Sequence, residues 1–170
     1  MLDVLAAALL TSAAVPAGAH AADLPNLFVA ACLDGRATLM PGSDPVSFEL
    51  LPRDLRRRLG EPAAARVWRI GGEADAFLYL LDYAPTGRDI RRVCGVASRD
   101  IDVQAAADAV ELRVAGAVYP NRARSIEWTD PDGSYTALVT TAGKFDVLQV
   151  NWRSDEARAK FRRMYKPLLP

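Results

Sequence analysis

One short segment, residues 76–83, constrains the fold more than any other part of this 170-residue chain. Its sequence is AFLYLLDY, and large apolar side chains recur at every second position, at Phe77, Tyr79, Leu81 and Tyr83. Leu78 and Leu80 make the opposite face apolar as well. A strand that is apolar on both faces is typical of the interior of a sheet covered on both sides. The segment therefore predicts a central strand.

The residues on either side of this strand predict a repeating unit. Residues 67–70 also have the pattern of a strand, and the Gly-Gly pair at 71–72 supplies a turn that makes a hairpin of the two strands. A third strand is predicted over residues 92–98, followed by a helix that Asp102 caps. These signals predict a strand-strand-strand-helix unit.

The same order recurs in the second half of the chain. Residues 125–129 and 134–141 flank the sequence Asp-Pro-Asp-Gly at 130–133, which is typical of a tight turn and explains its two aspartates without a bound calcium ion. Another strand is predicted over residues 145–152, and Ser154 begins a terminal helix whose inward face is expected to carry Ala157, Phe161, Met164 and Tyr165. The sequence predicts an α+β domain with a mainly antiparallel sheet built from two strand-strand-strand-helix units, with helices covering one face.

Two shorter helices near the N-terminus are expected to pack on this sheet. Residues 24–33 are mostly apolar and predict one of them. Leucines recur every four residues at 51, 55 and 59 and predict the other, whose opposite face carries arginines. The stretch between them, residues 40–45, is rich in turn formers and predicts a loop.

Residues 1–21 have the pattern of a secretory signal peptide. Residues 4–15 are apolar apart from Thr11 and Ser12, and the small residues that follow provide two A-x-A cleavage motifs, although no positive charge precedes them. The apolar run is too short to span a membrane comfortably. We expect cleavage behind Ala21, which leaves residues 22–170 as a single domain that is periplasmic or secreted. The alternative is a buried N-terminal helix of a cytosolic domain.

Composition and charge exclude several classes of function. The abundance of Ala, Arg, Val and Leu resembles exported proteins of high-GC Gram-negative bacteria, and the formal net charge is zero, which disfavours nucleic-acid partners. The one histidine, His20, lies in the predicted signal peptide, so the mature chain lacks histidine-dependent triads and zinc sites. No nucleotide-binding motif is present. We therefore expect no metal, no cofactor and no transmembrane segment in the mature chain.

The two cysteines, Cys32 and Cys94, support the same location. In an oxidising compartment each has one intramolecular partner, and a Cys32–Cys94 disulfide is the expected state. Because Val29-Ala30-Ala31 precede Cys32 and resemble a lipobox, lipidation of Cys32 is the competing interpretation. The distance of Cys32 from the apolar run disfavours it.

Arginines are the strongest candidates for a binding site. They form three clusters, namely Arg56, Arg57 and Arg58, then Arg88, Arg91 and Arg92, then Arg122 and Arg124. We hypothesise that Arg56, Arg57 and Arg92 form an anion-recognition patch with Tyr83 as an aromatic wall. The alternative is that these arginines only form a solvated surface balanced by nearby carboxylates.

These observations favour a non-catalytic binding or interaction domain in the cell envelope. Its partner would be a protein or an anionic small molecule. Two alternatives stay open: a small hydrolase or lyase that uses carboxylate, tyrosine and arginine groups, and an inhibitor of a cell-wall enzyme. The inhibitor would present a projecting loop, for which residues 41–45 and 85–89 are the candidates.

Overall fold

The computed structural model of this chain describes residues 24–35, 43–70, 76–85, 89–114, 117–120 and 125–165. The predicted signal peptide lies outside these residues. The strands are β1 (Ser43–Val46), β2 (Ala64–Ile70), β3 (Phe77–Asp82), β4 (Ile90–Ser98), β5 (Ala117–Pro120), β6 (Ile126–Thr129), β7 (Tyr135–Ala142) and β8 (Phe145–Arg153). The helices are α1 (Leu24–Phe28), continued by a π-helical turn (Val29–Leu33), a 3₁₀ helix (Phe48–Leu50), α2 (Arg53–Leu59), α3 (Val103–Glu111) and α4 (Asp155–Tyr165).

The strands form one antiparallel sheet in the order β1-β2-β3-β4-β8-β7-β6-β5. Two four-stranded meanders, each followed by a helix, therefore meet where β4 pairs with β8. The predicted α+β class, with a mainly antiparallel sheet, is confirmed. Each unit has one strand more than predicted, because β1 and β5 extend the sheet at its two edges.

Strand β1 occupies part of the stretch that was predicted to be a loop. It pairs with the second half of β2, from Val67 to Ile70. Pro45 is compatible with this position because an edge strand needs hydrogen-bond donors on one side only. Residues 43–46 therefore do not form a projecting loop.

Helices cover both faces of the sheet, so the prediction that they cover one face is wrong. On the first face, α1, the π-helical turn and α3 pack on a cluster that includes Leu80, Cys94 and Val150. On the second face, α2 packs on Tyr79 and Val93. The predicted central strand β3 lies between these layers and is buried on both faces. Because both of its faces are apolar, each requires its own covering helix.

A buried polar contact crosses the middle of the sheet on the second face. The hydroxyl of Tyr79 passes over Gly95 of β4 and donates a hydrogen bond to Gln149 Oε1 on β8, at 2.9 Å. Gln149 in turn donates through Nε2 to Asn151 Oδ1, at 2.6 Å. Burial raises the pKa of Tyr79 well above that of an exposed phenol. Gly95 makes the crossing possible, because a side chain there would overlap the Tyr79 hydroxyl.

The predicted Asp102 cap and the turn at residues 130–133 agree with the structure, whereas the predicted turn at residues 71–72 lies outside the described residues. Asp102 Oδ1 accepts hydrogen bonds from the backbone N–H groups of Gln104 and Ala105, each at 3.0 Å, and so caps α3. In the turn before β7, Asp132 forms ion pairs with Arg158 and Arg162 of α4. The aspartates of this turn therefore have structural roles.

The predicted inward stripe of α4 is partly wrong. Ala157 is buried and Phe161 is half-buried beneath the Arg153 guanidinium, but Met164 is 56% exposed. The side chain of Tyr165 lies outside the described part of the structure. Only the first half of α4 therefore contributes to the core. None of the described helices is long and apolar enough to span a membrane.

Candidate functional site

A row of four side chains crosses the first face of the sheet at one end of its central strands. In the strand register, Tyr135 of β7 pairs with Trp152 of β8, Trp152 pairs with Arg92 of β4, and Arg92 pairs with Asp82 of β3. Because side chains alternate along a strand, this row lies on the same face as Cys94, two residues from Arg92. Both aromatic residues of the row are half-buried. The row therefore presents aromatic and charged groups at the edge of the core.

A small pocket lies over the aromatic end of this row. Its volume is about 130 Å³, and its lining residues are Leu33, Asp34, Arg113, Tyr135, Val150 and Trp152. Arg113, just beyond α3, donates through Nη2 to Asp34 Oδ2 at 2.7 Å. This ion pair joins the end of the π-helical turn to the end of α3. The pocket is thus built from three separate parts of the chain.

The disulfide fixes one wall of this pocket to its floor. Cys32 lies in the π-helical turn and is bonded to Cys94 of β4, with the two Cα atoms 5.5 Å apart. Cys94 pairs in the sheet with Val150, which lines the pocket. The predicted disulfide is confirmed, and it leaves no thiol at Cys32 for a lipid. Because Asp34 follows Cys32 by two residues, the bond also limits where the Asp34 carboxylate can lie.

The pocket offers polar groups that are available to a ligand. Within the described part of the chain, the Tyr135 hydroxyl and the Trp152 indole N–H have no hydrogen-bond partner. Burial raises the pKa of Tyr135, and the negative charge of Asp130 raises it further. The Tyr135 hydroxyl is therefore a neutral donor at physiological pH. The Arg113–Asp34 pair adds a donor and an acceptor side by side without adding net charge.

A second, larger cavity lies on the opposite side of the molecule, beside α2. This open groove of about 770 Å³ is lined in part by Arg53, Arg56 and Arg57, together with Glu49 and Glu61. The three positive and two negative charges of these residues largely balance. The pKa of Glu49 is lowered mainly by a hydrogen bond from Ser47, and the positive charge of Arg56 lowers it as well. The Nε of Arg56 donates to the Leu51 carbonyl at 3.0 Å, and Arg57 pairs with Asp54.

The structure does not bring the four predicted binding residues together. Arg56 and Arg57 line the groove beside α2, on the second face of the sheet. Arg92 lies on the first face, because it alternates with Val93, which packs beneath α2. Tyr83 is 8% exposed and donates to the Leu59 carbonyl at 2.8 Å, so it is a core residue. An anion-binding role for Arg56 and Arg57 stays a prediction.

Arg58 and Arg91, the other described members of the three arginine clusters, line neither cavity. Arg58 donates to Thr140 Oγ1 and to the Thr141 carbonyl, and so ties α2 to β7. Arg91 is exposed. Arg88, Arg122 and Arg124 lie outside the described residues.

Comparison with known proteins gives no functional assignment, since the chain matches no protein family, no curated protein and no solved structure. Among the residues that the structure describes, no group of three or more His, Cys, Asp or Glu side chains is arranged to hold a metal ion. Function is therefore inferred from the geometry of these two cavities.

Proposed function

We propose that this chain is a non-catalytic binding domain that holds one ring of a neutral saccharide in the pocket over Tyr135 and Trp152. The observation that carries the proposal is a half-buried aromatic pair beside an Arg113–Asp34 ion pair. The face of an aromatic ring carries partial negative charge. It attracts the C–H groups that one side of a sugar ring presents, while the hydroxyl groups point to the rim.

The ion pair matches the hydroxyl groups of a sugar. Two neighbouring hydroxyls can each accept a hydrogen bond from the Arg113 guanidinium and donate one to the Asp34 carboxylate. An anionic ligand fits this arrangement less well, because it would have to compete with Asp34 for the same guanidinium. A second, balanced pair of Arg92 and Asp82 lies nearby in the same row. The local charge therefore favours a neutral ligand.

The size of the pocket sets how much of a ligand it can bury. Pockets that enclose drug-sized ligands have volumes of about 300–1,000 Å³. At about 130 Å³, this pocket is smaller. It suits a single ring, with the rest of the ligand outside.

A catalytic role is less well supported than binding. Most glycosidases use two carboxyl groups that flank the scissile bond. Of the described residues that line the pocket, Asp34 is the one carboxylate, and it is bonded to Arg113. We propose that the domain acts in the periplasm or outside the cell. The disulfide and the pattern of residues 1–21 support this location.

The first test is calorimetric titration with a panel of glucose, galactose, mannose, N-acetylglucosamine and N-acetylgalactosamine. We expect Trp152→Ala to weaken binding of the best panel member by about tenfold or more, because it removes the larger aromatic face. The matched control is Trp68→Ala. Trp68 is also half-buried on the first face but does not line the pocket. An equal loss of saccharide affinity in Trp152→Ala and Trp68→Ala contradicts the proposal. So does a wild-type chain that binds no sugar of the panel.

A second test distinguishes a neutral ligand from an anion. For a neutral sugar, Asp34→Asn and Arg113→Gln should both weaken binding, since each removes one member of the donor-acceptor pair. For an anion, Asp34→Asn should strengthen binding, because it frees the Arg113 guanidinium. Titration of acetate and glucuronate beside the neutral panel measures the difference. A gain in glucuronate affinity in Asp34→Asn would overturn the neutral-sugar assignment.

A further inference from the structure

We infer that the ligand is a linear oligosaccharide that lies across strands β8 and β4, with the Arg92–Asp82 pair as a second subsite beyond Trp152. This inference rests on the proposed function of the pocket. Arg92 Nε lies 2.6 Å from Asp82 Oδ1. Neither residue lines the pocket, and their side chains are 48% and 38% exposed, so both are accessible to a ligand that extends out of it.

The strand register sets the direction of this extension. Trp152 lines the pocket and is also the direct neighbour of Arg92 on the adjacent strand. Adjacent strands lie about 4.8 Å apart, so the row from Tyr135 to Asp82 spans roughly 14 Å over four strands. That length exceeds the width of one sugar ring. A chain of rings can therefore occupy the pocket and continue over Trp152 towards Arg92.

The same chemistry occurs at both ends of this path. At the pocket, Arg113 and Asp34 provide a guanidinium donor beside a carboxylate acceptor. Beyond Trp152, Arg92 and Asp82 provide the same combination on neighbouring strands. A polymer of similar units presents hydroxyl pairs at regular intervals along its length. Two Arg–Asp pairs on either side of an aromatic surface are complementary to such a repeat.

The Arg92–Asp82 pair contributes little to the stability of the folded state. Exposed ion pairs contribute little to stability because water screens both charges. The pair can therefore be removed without unfolding the chain. Replacing both members, in Arg92→Gln with Asp82→Asn, also keeps the net charge constant.

The test is a calorimetric comparison of the best-binding sugar of the panel with its β-1,4-linked dimer and tetramer. In the wild-type chain we expect affinity to rise about tenfold or more from monomer to tetramer. In the Arg92→Gln/Asp82→Asn variant, we expect the monomer affinity to stay unchanged and most of this gain to be lost. The matched control is Arg57→Gln/Asp54→Asn, which removes another exposed pair from α2, on the other face. It should keep the full gain.

The outcomes separate this inference from the proposed function. If the wild-type chain binds monomer and tetramer equally well, or the Arg92→Gln/Asp82→Asn variant keeps the full gain, the second subsite is wrong and the pocket assignment stands. If the wild-type chain binds neither the monomers nor their oligomers, the proposed function fails, and the inference fails with it.

Discussion

At the scale of single residues, Gly95 has almost no room for a larger side chain. A side chain there would overlap the Tyr79 hydroxyl on one side and lie 2.7 Å from the Leu148 carbonyl oxygen on the other. The first neighbour is a fully buried side chain and the second is backbone, so neither can move freely. The residue is fixed by the path of Tyr79 across β4.

We expect Gly95→Ala to lower the free energy of unfolding by about 1–3 kcal/mol, the usual effect of overpacking a core. Urea denaturation measures it. The control is Ala65→Ser at an exposed position of β2, which should change stability by less than about 0.5 kcal/mol. A Gly95→Ala variant that unfolds at the same urea concentration as the wild-type chain would show that the crossing is not tight.

Because of Tyr79, the free energy of unfolding depends on pH in the alkaline range. Burial raises its pKa in the folded state, whereas in the unfolded chain the phenol ionises near pH 10. Its stabilising contribution is therefore complete below about pH 10 and is lost as the pH rises further. We expect Tyr79→Phe to cost about 1–2 kcal/mol at pH 7, because Gln149 loses a partner.

The same variant should lose less stability than the wild-type chain between about pH 10 and pH 11. Denaturation curves at pH 7, 10 and 11 for both chains provide the measurement. Parallel losses of stability in the two chains would mean that Tyr79 does not control the alkaline response.

At the scale of elements, the disulfide is a covalent link between the N-terminal helical segment and the sheet. It closes a sequence separation of 62 residues and connects the π-helical turn to β4. Leu33 and Asp34, which line the pocket, follow Cys32 directly. The bond thus contributes both to global stability and to the position of the pocket wall.

On the chain-entropy model, replacing both cysteines by alanine should cost about 4 kcal/mol of unfolding free energy. We also expect saccharide binding to weaken under conditions where the variant is folded, because the Asp34 wall is no longer tied to β4. Urea denaturation and calorimetry test the two effects separately. A variant with wild-type stability would contradict the first, and one with wild-type affinity the second.

At the scale of the whole molecule, local patterns predicted most of the elements but not how they assemble. The two hairpins, the Asp102 cap and the doubly apolar β3 depend on residues close in sequence, and all agree with the structure. Strand β1 was missed because its Ser-Asp-Pro sequence resembles a turn and is tolerated only at an edge. The face that α2 covers depends on the path of the chain between layers, which no local pattern encodes.

The candidate site was missed for a similar reason. Asp34 and Arg113 are 79 residues apart and meet only after α3 has packed against the N-terminal helical segment. Tyr135 and Trp152 lie in segments that were predicted to be strands, but their pairing requires the register of β7 against β8. Alternation along β4 places Arg92 on the same face as Cys94. It gives no information on which face of the sheet α2 covers. Because α2 covers the second face, the predicted grouping of Arg92 with Arg56 is wrong.

The most direct measurement of the central claim follows the indole N–H signals of the three tryptophans by ¹⁵N NMR during titration with the sugar panel. The Trp152 signal, assigned from Trp152→Phe, should shift saturably at sugar concentrations up to about 10 mM, where a millimolar site is filled. Trp128, 1% exposed, and Trp68, outside the pocket, should not shift. A Trp152 signal that stays fixed with every sugar, or that moves no more than the other two, would contradict the assignment of the pocket to saccharide binding.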